Sequence, residues 1–335
     1  MTILAADLGG THSRFGLFRE EGGGILLENS FILPTQACNF KTLMHRLVEQ
    51  WPDDANALKE VSVLCFAAAG PVRDGEIRMT NAPITITGSE ALLFFPKAKF
   101  WAINDFEAQA WACLAPYGAT FESLHGRDIS GVLREMSRKK HKRPLAVIGA
   151  GTGLGAAWLI PGTERRNIPF VLPSEAGHVP FSFEKGWEQD FASFLCDRFR
   201  CAQPSAEQVL SGKGLALLHE YTVGGQHAPE VFTAEVGFAD SECCRLYARF
   251  MGRFCRMASF FILPCAIVLT GGVLGRTPCL ALHPEFLHEF LKPNGISGGI
   301  LEKMPVALNT NMQSGLWGAA FAAALLNKHA RRETS

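Results

Sequence analysis

The chain has 335 residues, of which 47% are apolar and 19% charged. At about 150 residues per domain this length suggests two domains with full cores, and the composition excludes a disordered or fibrous chain. Lys+Arg and Asp+Glu number 32 each, so there is no basic surplus of the kind that nucleic acid as a main partner would need.

Ile3 to Asp7 reads as a buried strand, Gly9-Gly10 as a turn and Ser13 to Phe18 as the returning strand. Glu21 to Gly24 turns the chain again into a strand over Ile25 to Leu33. Leu43, Leu47 and Val48 recur at helical spacing. Val61 to Ala68 is an apolar strand stopped by Gly70-Pro71, and Phe100 to Ile103 a short strand followed by a helix over Asp105 to Leu114. Arg134 to Arg143, with Arg138, Lys139, Lys140 and Lys142, is either an anion patch or a solvated loop; without interleaved aromatics the loop is the better reading. Strands follow at Leu145 to Ile148 and Ala156 to Ile160. The remainder reads as helices over Trp187 to Phe199, Ser205 to Leu210, Gly214 to Tyr221, Asp240 to Leu263 and Gly315 to Leu326, with strands at Ile267 to Thr270 and Val306 to Leu308. Ser205 and Gln208 fit a capping box. No internal repeat is visible by eye. Strands alternating with helices give an α/β architecture.

The apolar runs are shorter than the ~20 residues of a membrane span, and Met1 to Gly10 does not read as a signal peptide. The ten cysteines contain no C-x-x-C spacing and sit mostly in apolar runs, which points to reduced thiols in a cytoplasmic protein.

Three glycine clusters each follow an apolar strand: Asp7-Leu8-Gly9-Gly10-Thr11, Gly149-Ala150-Gly151-Thr152-Gly153-Leu154-Gly155, and Thr270-Gly271-Gly272-Val273. Any one could be an ordinary tight turn. Three together, the first with a strand-end carboxylate, favour nucleotide phosphates held by backbone N–H groups, with Asp7 orienting a hydrated Mg²⁺. Gly151, Gly153 and Ala156 also match a dinucleotide fingerprint, with Glu175 about 20 residues on. That fingerprint must open a helix, yet the glycines lead into Ala156 to Ile160 and Pro161-Gly162, which read as a strand and a turn. A hairpin loop is the better reading, and an NAD-linked oxidoreductase is disfavoured.

Asn104-Asp105 sits where a buried strand gives way to a helix, a place for an N-cap and also for catalytic groups in α/β sheets. Glu175 and His178 add a carboxylate and an imidazole, and Glu207 opens the short capped helix. Taken singly, His178 is a structural histidine and Glu207 a first-turn dipole partner. Spacing alone does not assemble these residues into one site.

The order of the motifs resembles that of bacterial glucokinases, ATP-dependent glucose 6-kinases of the hexokinase–actin–chaperone ATPase superfamily. The resemblance runs from Ile3 to about Leu326. It rests on Asp7 to Arg14, Ala69-Gly70-Pro71-Val72 with Thr80-Asn81, Ile103 to Phe106, Gly149 to Gly155, Ser174 to His178, Ser205 to Gly212, Gly271-Gly272-Val273 and Gly315 to Ala320. It implies an α/β, two-lobed actin-like ATPase (ribonuclease H-like) fold with a central cleft. The small lobe would span 1–115 with 314–335 returning to it, and the large lobe 116–313. It implies Asp105 as general base and Asn81, Asn104, Glu175, His178 and Glu207 as sugar contacts. The glycine turns would hold ATP. The implied ligands are a hexose, ATP and Mg²⁺, with no nucleic acid and no membrane, and with room for a homodimer. Another hexose, or a non-catalytic sugar-responsive protein on the same scaffold, are the alternatives. His12 stands where the family usually has Asn, Ile84 where it has Trp, and Ala176 where it has Gly; the last two sit beside sugar contacts. The related repressor/kinase family carries a cysteine zinc cluster and added DNA-binding helices, neither of which the sequence shows.

Overall fold

The computed structural model describes residues 1–333 except 23, 36–38, 52–55, 81, 139–141, 163–167 and 293–297. It divides into two units, Met1–Ala119 with Gln313–Ser335, and Thr120–Met312.

In the first unit β1 (Thr2–Leu8), β2 (His12–Glu21) and β3 (Gly24–Pro34) form an antiparallel meander. β4 (Val61–Ala68) adds parallel to β1, and a small sheet follows from β5 (Val72–Arg73), β6 (Glu76–Arg78) and β7 (Thr85–Ile86). β8 (Lys99–Asn104) adds parallel to β4, giving the order β3-β2-β1-β4-β8. β1 is covered on both faces, which is why it reads as an unbroken apolar run interrupted only by Asp7. Leu4, Ala6 and Leu8 pack with Phe40, Leu43, Met44 and Leu47 of the Phe40–Gln50 helix. The helices Asp105–Ala112 and Ser314–Glu333 cross closely enough that a side chain at Gly318 would collide with Ala108 O. Here glycine is required by approach.

The second unit repeats this plan. β9 (Phe121–His125) forms one edge. β10 (Leu145–Ala150), β11 (Leu154–Ile160) and β12 (Phe170–Ser174) are an antiparallel meander, and β13 (Ala266–Thr270) and β14 (Val306–Asn309) extend it in parallel from β10. The order is β12-β11-β10-β13-β14-β9. A meander of three followed by two parallel strands therefore occurs twice, a repeat of topology that sequence inspection missed.

Arg134 corrects another expectation. It lies in a helix, Ile129–Ser137, N-capped by Asp128, rather than in a solvated loop. Ile129, Val132, Leu133 and Met136 bury one face of that helix. The rest of the charged run includes Lys139 and Lys140, which fall outside the described residues.

Candidate active site

The ends of parallel strands collect the residues singled out in the sequence of the first unit, and a hairpin turn, a 3₁₀ turn and a short helix collect those of the second. In the first unit Asp7 pairs in register with Ala67 of β4, which pairs with Ile103 of β8. Asp7, Gly70 and Asn104-Asp105 thus share the carboxyl edge of the sheet. Asp7 and Ile103 stand two strand spacings apart, roughly 10 Å, and Asp105 follows two residues beyond Ile103.

Asn104 is the N-cap of the Asp105–Ala112 helix. Its Oδ1 accepts from Phe106 N–H at 2.9 Å and its Nδ2 donates to Gly70 O at 3.1 Å. Asp105 is the first helical residue, and its Oδ1 lies 3.0 Å from the same Phe106 nitrogen. Glu107, which sequence reasoning passed over, lies in the first turn of that helix; burial pushes its carboxyl above the ordinary range, and hydrogen bonding to Trp111 and then to Asn104 N–H pulls it partly back. The signal was available as Asn-x-x-Glu at a helix start.

Asp7 faces Arg14 across the β1–β2 hairpin, with Nη1 4.0 Å from Oδ2. A side chain at Gly315 would reach within 2.7 Å of the same oxygen. Burial raises the Asp7 carboxyl above its ordinary value and Arg14 only partly offsets this. Gly9, Gly10 and Thr11 form the adjoining turn, closed by Gly9 N–H donating to His12 O at 3.0 Å. His12 thus contributes its carbonyl to the turn.

In the second unit Gly151-Thr152-Gly153 is the β10–β11 hairpin turn, with Gly149 paired to Gly155 and Ala150 to Leu154. No helix follows, which removes the dinucleotide reading. Gly151 N–H donates to Gly153 O at 2.8 Å, and Gly151 O accepts from Gly212 N–H at 2.9 Å. The third glycine cluster presses on the second. A Cβ at Gly149 would lie 2.5 Å from Thr270 O, and one at Gly271, where φ is 97°, would collide with Ala150 O. Gly272 opens the short helix that follows.

Glu175, His178 and Glu207 meet this loop. Glu175 Oε2 and His178 Nδ1 lie 3.2 Å apart on an exposed 3₁₀ turn, Ala176–His178. Gly177 in that turn abuts Leu154 O so closely that any side chain would collide. Glu207 Oε2 accepts from Leu154 N–H at 3.0 Å, and a Cβ at Gly153 would strike the same oxygen. Ser205 and Gln208 form the expected capping box. Ala176 does not have positive φ, and its N–H donates to Ser174 Oγ, so the missing glycine causes no backbone strain. Ile84 is buried in the first unit's core. Asn81 lies outside the described residues.

A duplicated sheet of this topology, with glycine turns at its strand ends, is the two-domain actin-like ATPase fold of phosphoryl-transferring kinases. The glucose-bound glucokinase of Balamuthia mandrillaris shares it, with a TM-score of 0.76 at 20% identity over 96% of this chain and 93% of that one. A Streptomyces griseus ROK family glucokinase, solved with glucose and AMPPNP, gives 0.61 at 20% identity over 97% and 100%. In sequence, a family model described as Glucokinase matches residues 4–326. The glucokinase of Pseudomonas paraeruginosa is 31% identical over 334 residues, 95% of this chain and 91% of that one. The chain belongs to the glucokinase family, ATP-dependent kinases that phosphorylate glucose.

Two expectations follow from the loop geometry. A Cβ at Gly151 meets nothing within 4 Å, whereas one at Gly153 strikes Glu207. Gly151→Val should therefore fold normally and raise KM for ATP by ~10- to 100-fold, the loss of one or two charge-assisted contacts, with KM for glucose unchanged. Equal rises in both constants would take the loop out of the phosphate site. Glu207→Gln keeps an oxygen for Leu154 N–H, and Glu207→Ala does not. Glucose affinity should fall in both, by ~10- to 100-fold, while KM for ATP should rise only in the alanine variant. Unchanged glucose affinity in both would return Glu207 to a structural role.

Proposed function

We propose that the protein transfers the γ-phosphoryl group of ATP to the 6-hydroxyl of glucose, with Asp105 as general base. The observation that carries this reading is the position of Asp105. It starts a helix at the carboxyl end of a parallel strand, beside an asparagine anchored through both ends of its amide. A carboxylate so placed accepts the hydroxyl proton while the sugar oxygen bonds to phosphorus and ADP leaves. Asn104 has a second Nδ2 proton to offer a sugar hydroxyl. Glu175, His178 and Glu207 hold further hydroxyls, with Asn81 assigned by the family pattern. The glycine turns Gly9-Gly10-Thr11, Gly149 to Gly155 and Gly271-Gly272 bind ATP through backbone N–H groups.

Asp7 is the residue suited to Mg²⁺. Its carboxylate is desolvated and, among the described residues, the cation beside it is Arg14 at 4.0 Å, so a hydrated divalent ion bound through water fits the donor set. When bound, the ion screens phosphate charge. The free thiols of the described cysteines support a cytoplasmic setting. Against a non-catalytic sugar binder stands the presence of Asp105 and Asp7 alongside the sugar residues.

Asp105→Asn tests the base directly. It is nearly isosteric and cannot take a proton, so kcat should fall ~10²-fold or more while calorimetry still detects glucose binding. A variant with near-normal kcat would reduce Asp105 to a helix-start residue.

Asp7 makes a separate prediction through pH. Its carboxyl is raised in the folded state, so folding favours the protonated form. Its contribution to stability is present at low pH and is lost as pH rises through the raised value. Without ligands, Asp7→Asn should melt above the wild type at about pH 7.5, and the gap should close toward about pH 4. Its kcat with MgATP should drop. A variant that melts below the wild type at neutral pH would contradict the burial argument.

A further inference from the structure

The Trp187–Phe199 helix ends in a turn that brings two cysteines together. Arg200 is left-handed, with φ 51° and ψ 48°, and both its N–H and that of Cys201 donate to Cys196 O, the latter at 3.1 Å. In this type of helix end the side chain after the left-handed residue packs against the one five positions before it. Here both positions are cysteine. A backbone bond of that kind leaves the two Cα atoms within about the 4.4–6.8 Å that a disulfide spans. Neither thiol is sealed in the core, since both are half-buried. Partial desolvation and the adjoining Cys201 thiol push Cys196 above the ordinary thiol range.

An apolar pair would serve this helix end equally well, but Cys201 also touches the start of the helix that carries Glu207. Cys201 Sγ lies 3.8 Å from Gln208 Oε1. The same oxygen accepts from Ser205 N–H at 2.8 Å and closes the capping box of the Ala206–Leu210 helix, which carries Glu207. A sulfur drawn toward Cys196 leaves that oxygen.

We propose that Cys196 and Cys201 are a reversible dithiol–disulfide pair whose oxidation loosens the start of the helix bearing Glu207 and so weakens sugar binding. The oxidant class is a low-molecular-weight disulfide. Cys201, as thiolate, attacks one sulfur of it, a bond forms between them, and the first small thiolate leaves. The Cys196 thiolate then attacks Cys201 sulfur and expels the second. The two cysteines are oxidised, the small disulfide is reduced to two thiols, and the two cysteine protons end on those thiols. The cysteine chemistry stands on the helix end alone; the effect on sugar rests on the role proposed for Glu207.

The test titrates the native enzyme with glutathione disulfide, alkylates free thiols and digests with trypsin. Cleavage after Lys185, Arg198, Arg200 and Lys213 puts the cysteines on peptides 186–198 and 201–213. We expect these two peptides joined, with release by dithiothreitol. KM for glucose should rise ~3- to 10-fold, the scale of losing one hydrogen bond, and recover on reduction. Cys196→Ser and Cys196→Ala should keep basal activity and lose both responses. Finding both peptides alkylated, or each carrying only glutathione, would overturn the pair. Joined peptides with unchanged KM would overturn the link to the Glu207 helix. If Glu207→Gln also leaves glucose affinity unchanged, the assignment of Glu207 has failed and the disulfide chemistry stands.

Discussion

The peptide backbone at Leu154 is held from two sides, and the ligand chemistry proposed for the second unit depends on that hold. Glu207 takes the N–H at 3.0 Å, and Gly177 lies against the carbonyl where no side chain could fit. Leu154 is the first residue after the glycine turn. The turn proposed for phosphate, the 3₁₀ turn of Glu175 and His178, and the helix of Glu207 are therefore one mechanical piece. Ala206 N–H donating to Val179 O at 2.9 Å ties the last two again. Each such bond is worth only ~1 kcal/mol net, but none can break without exposing a buried polar group or opening the loop. A hexose that orders Glu207 thereby also orders the turn that would receive phosphates.

The repeat of topology assigns different work to equivalent positions. Counting back from the hairpin turns, Asp7 on β1 corresponds to Gly149 on β10, each one residue before its strand's end. In the first unit this position carries a half-buried carboxylate suited to a hydrated cation. In the second it carries no side chain, and the missing Cβ lets Thr270 O come within 2.5 Å of where it would be. Gly271, at φ 97°, returns the contact against Ala150. One hairpin is specialised by charge and the other by close backbone packing.

Sequence alone located many of the elements that position the candidate site, because several of them are buried strands that read as apolar runs. Val61 to Ala68 and Trp187 to Phe199 agree with the structure to the residue. Elements stayed illegible where local signals conflicted. The helix Ile129–Ser137 has a clear apolar face, but Arg134 and the basic residues after it drew the reading toward a loop. β12 contains Pro173 and β5 to β7 have two or three residues each, too short for a period to show. The duplication was hidden because the two sheets share hydrogen-bonding order rather than side chains. Residues far apart in sequence, such as Leu154 and Glu207, could not be joined by spacing at all. The consequence of Ala176 was likewise undecidable without φ, and the structure places it in an ordinary 3₁₀ turn.

Two carboxylates show where this fold gives up stability. Asp7 and Glu107 are both pushed above the usual range by burial, and each cost is only partly offset inside the chain. The two are not alike. Glu107 has hydrogen-bonding partners in Trp111, within the helix that opens with Asp105, and in the Asn104 N–H at its N-cap. That is a structural return, independent of any ligand. Among the described residues Asp7 has no comparable bond; Arg14 at 4.0 Å is half-exposed and beyond hydrogen-bonding distance. A protein that merely bound sugar through Asn104, Glu175, His178 and Glu207 would gain stability by losing the Asp7 charge. A kinase of the proposed kind would not, because a cation held beside Asp7 would offset the cost of burial. On that reading the desolvated charge on Asp7, more than the proposed sugar residues, argues for a phosphoryl-transfer site over a binding pocket on the same scaffold.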